Sequence, residues 1–268
     1  MFNENTNYGN LELDIINTAY FHCRNRDFEK AYNLINSFVE KYRISFYPII
    51  CLNLEKYEEA YIYYNSTFRD ESVEQINLGD DEFIQKCAYS LVLCIKAFEF
   101  QKEMDDALNI YNIDENKKVS ISQYLNAIEI ASQNLNNGEY VISRNYFKKA
   151  LKIANFDPSL WLDFASTYYT EFIAEESHFN LIEAYMALKC ATILEENDVE
   201  TPVSEYDFQL HYSFLNIIFK LKALGLEQPK LVSKEISKLK ACASSQMEMN
   251  TAVQLEINIK GIERDFPF

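Results

Sequence analysis

Residues 161–168 read Trp-Leu-Asp-Phe-Ala-Ser-Thr-Tyr, so that Trp161, Phe164, Ala165 and Tyr168 are separated by three, one and three positions. These spacings place the four side chains on one side of an α-helix. The small Ala165 between large rings lets a second helix come close, while the rings fill the space around the contact. The stretch therefore predicts one member of a closely packed helix pair.

A second pattern recurs along the chain: a small residue, a large one four positions later, and another small one three further on. It is complete at Ser143–Phe147–Ala150 and Ala184–Leu188–Ala191, and its first two positions recur at Ala31–Ile35, Ala60–Tyr64 and Ala107–Tyr111. Its copies begin at residues 31, 60, 107, 143 and 184. This irregular spacing, close to a period of about 34 residues, predicts degenerate repeats of helical hairpins.

On these residues the chain resembles the tetratricopeptide-repeat (TPR) superfamily over residues 12–196. The resemblance implies a right-handed α-solenoid of about five degenerate TPR-like hairpins, with an N-terminal tail at 1–11 and C-terminal capping helices with a short tail at 197–268, in one continuous domain. Residues 150–172 and 215–218 are also weakly similar to the TPR subunit of the endoplasmic-reticulum membrane protein complex. The Gly-Gly of that family is replaced here by Glu171-Phe172.

Composition supports an all-α fold and excludes several classes of function. Only 5 Gly and 5 Pro occur in 268 residues, which favours helices joined by short connections. The net charge of −16 argues against binding to nucleic acid or to an anionic membrane surface. The polar N-terminus and the six cysteines without a C-x-x-C motif predict reduced thiols in a cytoplasmic protein. A peripheral position on a membrane complex is the alternative.

The sequence contains no motif that indicates catalysis. Phosphate-binding glycine loops, zinc-protease motifs and nucleophile elbows are all missing from it. Its three histidines, His22, His178 and His211, are far apart, and we expect packed or hydrogen-bonded rings rather than metal ligands. The prediction is therefore a protein that is not an enzyme, with no catalytic residue, no cofactor and no metal.

The TPR resemblance implies a partner-binding concave face formed by the first helix of each hairpin. By register this face would contain Leu13, Ile16, Tyr20, Leu125, Ile128, Ser132, Leu162, Ser166 and Tyr169. An apolar, tyrosine-containing groove suits a helix or an extended peptide with bulky side chains. For each of these residues, packing against neighbouring helices is the alternative interpretation.

Charge is distributed unevenly along the chain. Residues 157–207 contain twelve acids and one lysine, whereas residues 220–240 contain six lysines and two acids. The first stretch predicts an acidic rim that attracts a basic partner, formed by Glu175, Glu176, Glu195, Glu196, Asp198 and Glu200. A solvated surface that keeps the protein in solution is the alternative.

These observations predict a non-enzymatic scaffold that binds another protein, either as an adaptor or as a subunit of an assembly. Two alternatives stay open: a soluble inhibitor or immunity-type protein that masks a basic partner, and a peptide-responsive regulator. The regulator alternative is weakened because this sequence shows no N-terminal helix-turn-helix segment. The oligomeric state and the identity of the partner are not set by the sequence.

Overall fold

The computed structural model describes residues 10–68, 82–109, 121–175, 179–197 and 205–265. These residues form twelve α-helices and no strand, which confirms the predicted all-α class. The helices are α1 Asn10–Arg24, α2 Phe28–Ile35, α3 Tyr47–Asn53, α4 Tyr57–Thr67, α5 Glu82–Asn109, α6 Ile121–Asn136, α7 Tyr140–Leu151, α8 Pro158–Glu175, α9 Asn180–Asn197, α10 Glu205–Lys222, α11 Pro229–Cys242 and α12 Gln246–Asp265.

The chain divides into two compact units. The first consists of Met1–Phe98 together with Lys222–Glu227, and the second of Glu99–Leu221 together with Gln228–Phe268. Among the described residues, no helix is both long enough and apolar enough to cross a membrane. All six cysteines are free thiols; Cys23, Cys51, Cys87 and Cys94 are buried, whereas Cys190 and Cys242 are half-buried.

Three helix pairs, α1–α2, α3–α4 and α6–α7, are joined by three-residue turns of the same geometry. The middle residue of each turn has a left-handed backbone: φ is 62° at Arg26, 58° at Glu55 and 78° at Gly138. The residue that follows donates its backbone N–H to the carbonyl five positions earlier, at 2.9 Å in all three turns. This bond is the Schellman closure of a helix C-terminus, so the three hairpins share one connecting motif.

The small residue of the repeat pattern follows each left-handed residue by five positions. Ala31, Ala60 and Ser143 are all fully buried. The Ser143 hydroxyl donates a hydrogen bond of 2.8 Å to the carbonyl of Ala131 on the preceding helix. The same position is therefore fully buried in all three hairpins, as expected for a small residue where two helices pack together.

Helix α8 begins with a capping carboxylate followed by a proline. The Asp157 carboxylate accepts the backbone N–H of Ser159 at 2.9 Å, and Pro158 occupies the first helical position. Trp161 is 3% exposed and donates its indole N–H to the carbonyl of Asn155 at 2.8 Å. Phe164 and Ala165 are buried, and the Phe164 ring stacks on that of Phe100 of α5 with centroids 6.1 Å apart.

In the first unit, a buried amide helps to hold the segment 222–227. The Asn53 side chain donates to the Gly225 carbonyl at 2.8 Å and accepts the Glu227 backbone N–H at 2.5 Å. Gly225 has a φ of 108°, and a Cβ atom there would lie 2.6 Å from the Ser90 hydroxyl oxygen. The segment fits because this position has no side chain.

Candidate protein-binding surface

In the first unit, the predicted partner-binding residues of α1 are engaged in packing. Ile16 is 1% exposed, whereas Leu13 and Tyr20 are half-buried. The Tyr20 ring makes edge contacts with Phe46 and Phe83, with centroids 5.4 and 5.5 Å apart. Of this group, only Leu13 and Tyr20 keep any accessible surface.

In the second unit, the predicted residues of α6 are more accessible. Leu125 is 57% exposed and Ile121, one turn earlier, is 71% exposed. Ile128 and Ser132 are half-buried further along the same helix. A row of apolar side chains therefore remains open to solvent on α6.

On α8 the predicted residues differ in their surroundings. Leu162 is buried, and Ser166 is half-buried with its hydroxyl donating to the Leu162 carbonyl at 3.0 Å. Tyr169 is half-buried beside Phe172, with ring centroids 6.0 Å apart. Of the three, Tyr169 offers the largest group suited to a partner contact.

Two members of the predicted acidic rim pair with lysines of the same chain. The Lys238 ammonium lies 3.1 Å from a Glu195 oxygen and 2.9 Å from a Glu196 oxygen, and Lys234 lies 2.5 Å from Glu196. Hydrogen bonds from Lys234 and Lys238 lower the pKa of the Glu196 carboxyl. Glu195 and Glu196 of α9 are thus paired with two lysines of α11, although the sequence shows these residues in separate charged regions.

The other rim residues are divided between exposed and undescribed positions. Glu175 is exposed at the end of α8. Glu176, Asp198 and Glu200 lie outside the described residues, as does His178.

A buried charged cluster joins α9, α10 and α11. The His211 ring is 0% exposed; its Nδ1 lies 2.7 Å from a Glu235 oxygen and its Nε2 lies 2.9 Å from a Glu195 oxygen. Burial lowers the pKa of His211, but the hydrogen bonds with both carboxylates outweigh burial and raise that pKa to about 8. Both ring nitrogens are occupied and the ring has no contact with solvent, so the cluster connects three helices and offers no position for a substrate.

Sequence reasoning did not find this cluster. His211 and Glu235 are 24 positions apart, and no spacing in the sequence marks them as partners. Within the part of the chain that the structure describes, no group of three or more His, Cys, Asp or Glu side chains is arranged to hold a metal ion.

An open groove of 660 Å³ lies between α10 and α12 of the second unit. Four carboxamides line it: Asn216 of α10 and Asn250, Gln254 and Asn258 of α12. Its apolar lining includes Tyr212, Leu255 and Met247, of which Met247 is 80% exposed. Among the residues that the structure describes, no Asp, Glu, Lys, Arg or His lines the groove, so this lining is neutral and carries directional hydrogen-bonding groups.

Tyr169, one of the residues predicted from the sequence, does not line the groove but interacts electrostatically with Tyr212, which does. Burial, and secondarily the charge of Tyr212 in the groove wall, raise the pKa of the Tyr169 phenol. The Lys220 ammonium lies 5.3 Å from the centre of the neighbouring Phe172 ring. The groove residues themselves were missed, although a signal was present: amides stand at every fourth position from Gln246 to Asn258.

Comparison with known proteins gives no relative. No protein-family model, no curated protein and no solved structure matches the chain.

Proposed function

We propose that this chain is a non-enzymatic scaffold that binds another protein, built as a right-handed α-solenoid of degenerate TPR-like hairpins with α10–α12 as its C-terminal cap. The shared turn geometry at Arg26, Glu55 and Gly138 supports the repeat. The groove between α10 and α12 is the observation that carries the binding function, because it combines open volume, carboxamides and an exposed apolar side chain.

The surface around the groove supplies the two components that protein interfaces combine. Tyr212 and Met247 provide apolar contact area. The carboxamides provide hydrogen bonds that fix the orientation of a partner. Aromatic residues and methionine are enriched in interfaces, whereas lysine and glutamate are depleted, and the groove lining follows this composition.

The acidic rim contributes less to this proposal than its sequence suggests. Lys234 and Lys238 already occupy Glu195 and Glu196, so these two carboxylates are poor candidates for attracting a basic partner. The alternative role of an inhibitor that masks a basic partner loses the same support.

The test compares two substitutions of exposed apolar residues on α12. Met247→Glu places a charge in the groove, whereas Ile257→Glu places the same charge on a side chain that is 56% exposed and does not line the groove. The tagged full-length chain and both variants are used as baits in native lysate, and bound proteins are quantified by mass spectrometry. We expect the wild type and Ile257→Glu to retain the same partner and Met247→Glu to lose it. Equal recovery by all three baits would exclude the groove as the binding site.

A further inference from the structure

The amides of the groove belong to a longer row on α12. Gln246, Asn250, Gln254 and Asn258 are four residues apart, so they lie along one side of the helix at intervals of about 6 Å. All four are exposed. Gln246 donates to Asn250 at 3.0 Å and Gln254 donates to Asn258 at 3.0 Å, so neighbouring carboxamides orient each other.

This interval matches an extended polypeptide. Two residues of a β-strand span about 6.6 Å, and the carbonyl and N–H groups on one edge of a strand repeat with that period. From Asn250 to Asn258 the accumulated mismatch is about 1.2 Å, which side-chain rotation can absorb. Successive amides can therefore meet every second residue of one extended chain.

The chemistry of the carboxamides fits the same occupant. Each offers two N–H donors and an oxygen with two lone pairs, so it can bond to a backbone carbonyl and a backbone N–H at once. The Gln254–Asn258 bond uses one donor of Gln254 and one lone pair of Asn258, which leaves further donors and acceptors on both. A helical ligand satisfies its own backbone and would leave this row unmatched.

We propose that the groove between α10 and α12 binds an extended peptide segment of a partner protein through the peptide main chain, and that Tyr212, Met247 and Leu255 receive one apolar side chain of it. This inference rests on the proposed function and specifies its mode of recognition. Because the described part of the lining carries no charged residue, the affinity should depend little on salt.

The probe is a peptide selected from a random library of 12-residue sequences, displayed on phage and panned against the full-length chain. The dissociation constant of the synthesised peptide is measured by fluorescence polarisation for the wild type, Asn250→Ala and Gln254→Ala. The matched control is Gln209→Ala, which removes an exposed amide of α10 outside the groove. We expect each groove variant to bind about 3- to 10-fold more weakly and the control to stay within about twofold of the wild type.

Two further measurements address the main chain directly. N-methylation of alternate peptide nitrogens removes the donors of one edge, so one methylated set should lose about tenfold in affinity while the other set binds normally. Raising NaCl from 50 to 500 mM should change the dissociation constant by less than about twofold.

The proposal is overturned if no peptide is enriched, if the selected peptide binds the groove variants as well as it binds the wild type, or if both methylated sets are tolerated. In any of these cases, continued loss of the cellular partner in Met247→Glu would leave the scaffold function standing with a different mode of recognition. Equal partner recovery by all baits would remove both proposals together.

Discussion

The buried His211 cluster makes the stability of the second unit depend on pH. The pKa of His211 is about 8 in the fold against 6.5 for an unperturbed histidine, because hydrogen bonds with Glu195 and Glu235 outweigh the opposing effect of burial. A raised pKa means that the fold favours the protonated ring. The stabilisation that protonated His211 contributes to the fold is therefore complete below pH 6.5 and is lost as the pH rises through 8. The pKa difference corresponds to about 2 kcal/mol.

The double variant His211→Gln with Glu235→Gln tests this pH dependence. It replaces a buried ion pair by two neutral amides of similar size, so it removes the titration without leaving an unpaired charge. A single His211→Gln change would instead leave the Glu235 carboxylate, which is 1% exposed, without its main partner and would cost about 3 kcal/mol or more.

Urea unfolding followed by tryptophan fluorescence gives a local readout. Trp161 is the only tryptophan of the chain and lies in the same unit as the cluster. About 1.5 kcal/mol of this stabilisation is lost between pH 6.5 and pH 8.5, so at a slope of about 2 kcal/mol per molar urea the wild-type midpoint should fall by about 0.7 M. The double variant should show little change over this range. His22→Gln, a change in the other unit, should keep the wild-type dependence.

Two outcomes would contradict the predicted pH dependence of stability. A wild-type midpoint that is the same at pH 6.5 and pH 8.5 would show that His211 is not held in its protonated form. A double variant with the full wild-type decrease would show that other groups cause it.

Three further substitutions test the turns and the buried amide. Gly138→Ala should lower the free energy of unfolding by about 1 kcal/mol in the fluorescence assay. Nothing lies within 4 Å of the new Cβ, so the cost comes only from the left-handed backbone at this position. An unchanged free energy would argue against a left-handed backbone at residue 138. Glu55→Gly should raise the free energy of unfolding by about 0.5 kcal/mol, because glycine adopts the left-handed backbone at this position without strain. Thermal melts followed by circular dichroism measure this change, and a lower melting temperature would contradict it. Asn53→Ala should lower the free energy of unfolding by about 3 kcal/mol, because its hydrogen bonds with the backbone of Ile49, Gly225 and Glu227 are lost. The loss should be seen as faster amide hydrogen exchange in residues 47–53. Unchanged exchange would mean that segment 222–227 is held by other contacts.

The hairpin elements were accessible to sequence reasoning because their signals are local. A small residue at Ala31, Ala60 or Ser143 is typical of a close helix contact, and a glycine such as Gly138 is typical of a left-handed turn. The left-handed turns at Arg26 and Glu55 carry no glycine, so no residue type marks them in the sequence. There the chain tolerates a cost of about 1 kcal/mol, because the Schellman bond and the packing of the two helices hold the backbone in place.

The binding surface was only partly accessible, because the exposure of a residue depends on what packs against its helix. Helical register predicts Ile16, Leu125 and Leu162 equally as partner-binding residues. The structure buries Ile16 and Leu162 and leaves Leu125 exposed. The groove is formed by two helices that carry no repeat signature, so register could not reach it.

The sequence by itself determined the helical class, the connecting turn at Gly138 and the small contact positions, because each depends on residues within one or two helical turns of one another. Tertiary structure alone decided which charges are available. Glu195 is an acidic residue in a strongly acidic stretch, yet it is paired with His211 and with Lys238, 43 positions away along the chain. Such pairs form because folding brings helices α9, α10 and α11 together, and the strength of a charge interaction depends on distance in space and on burial. The same principle governs the groove, whose amides are visible in the sequence but whose walls exist only once α10 and α12 pack against their shared core.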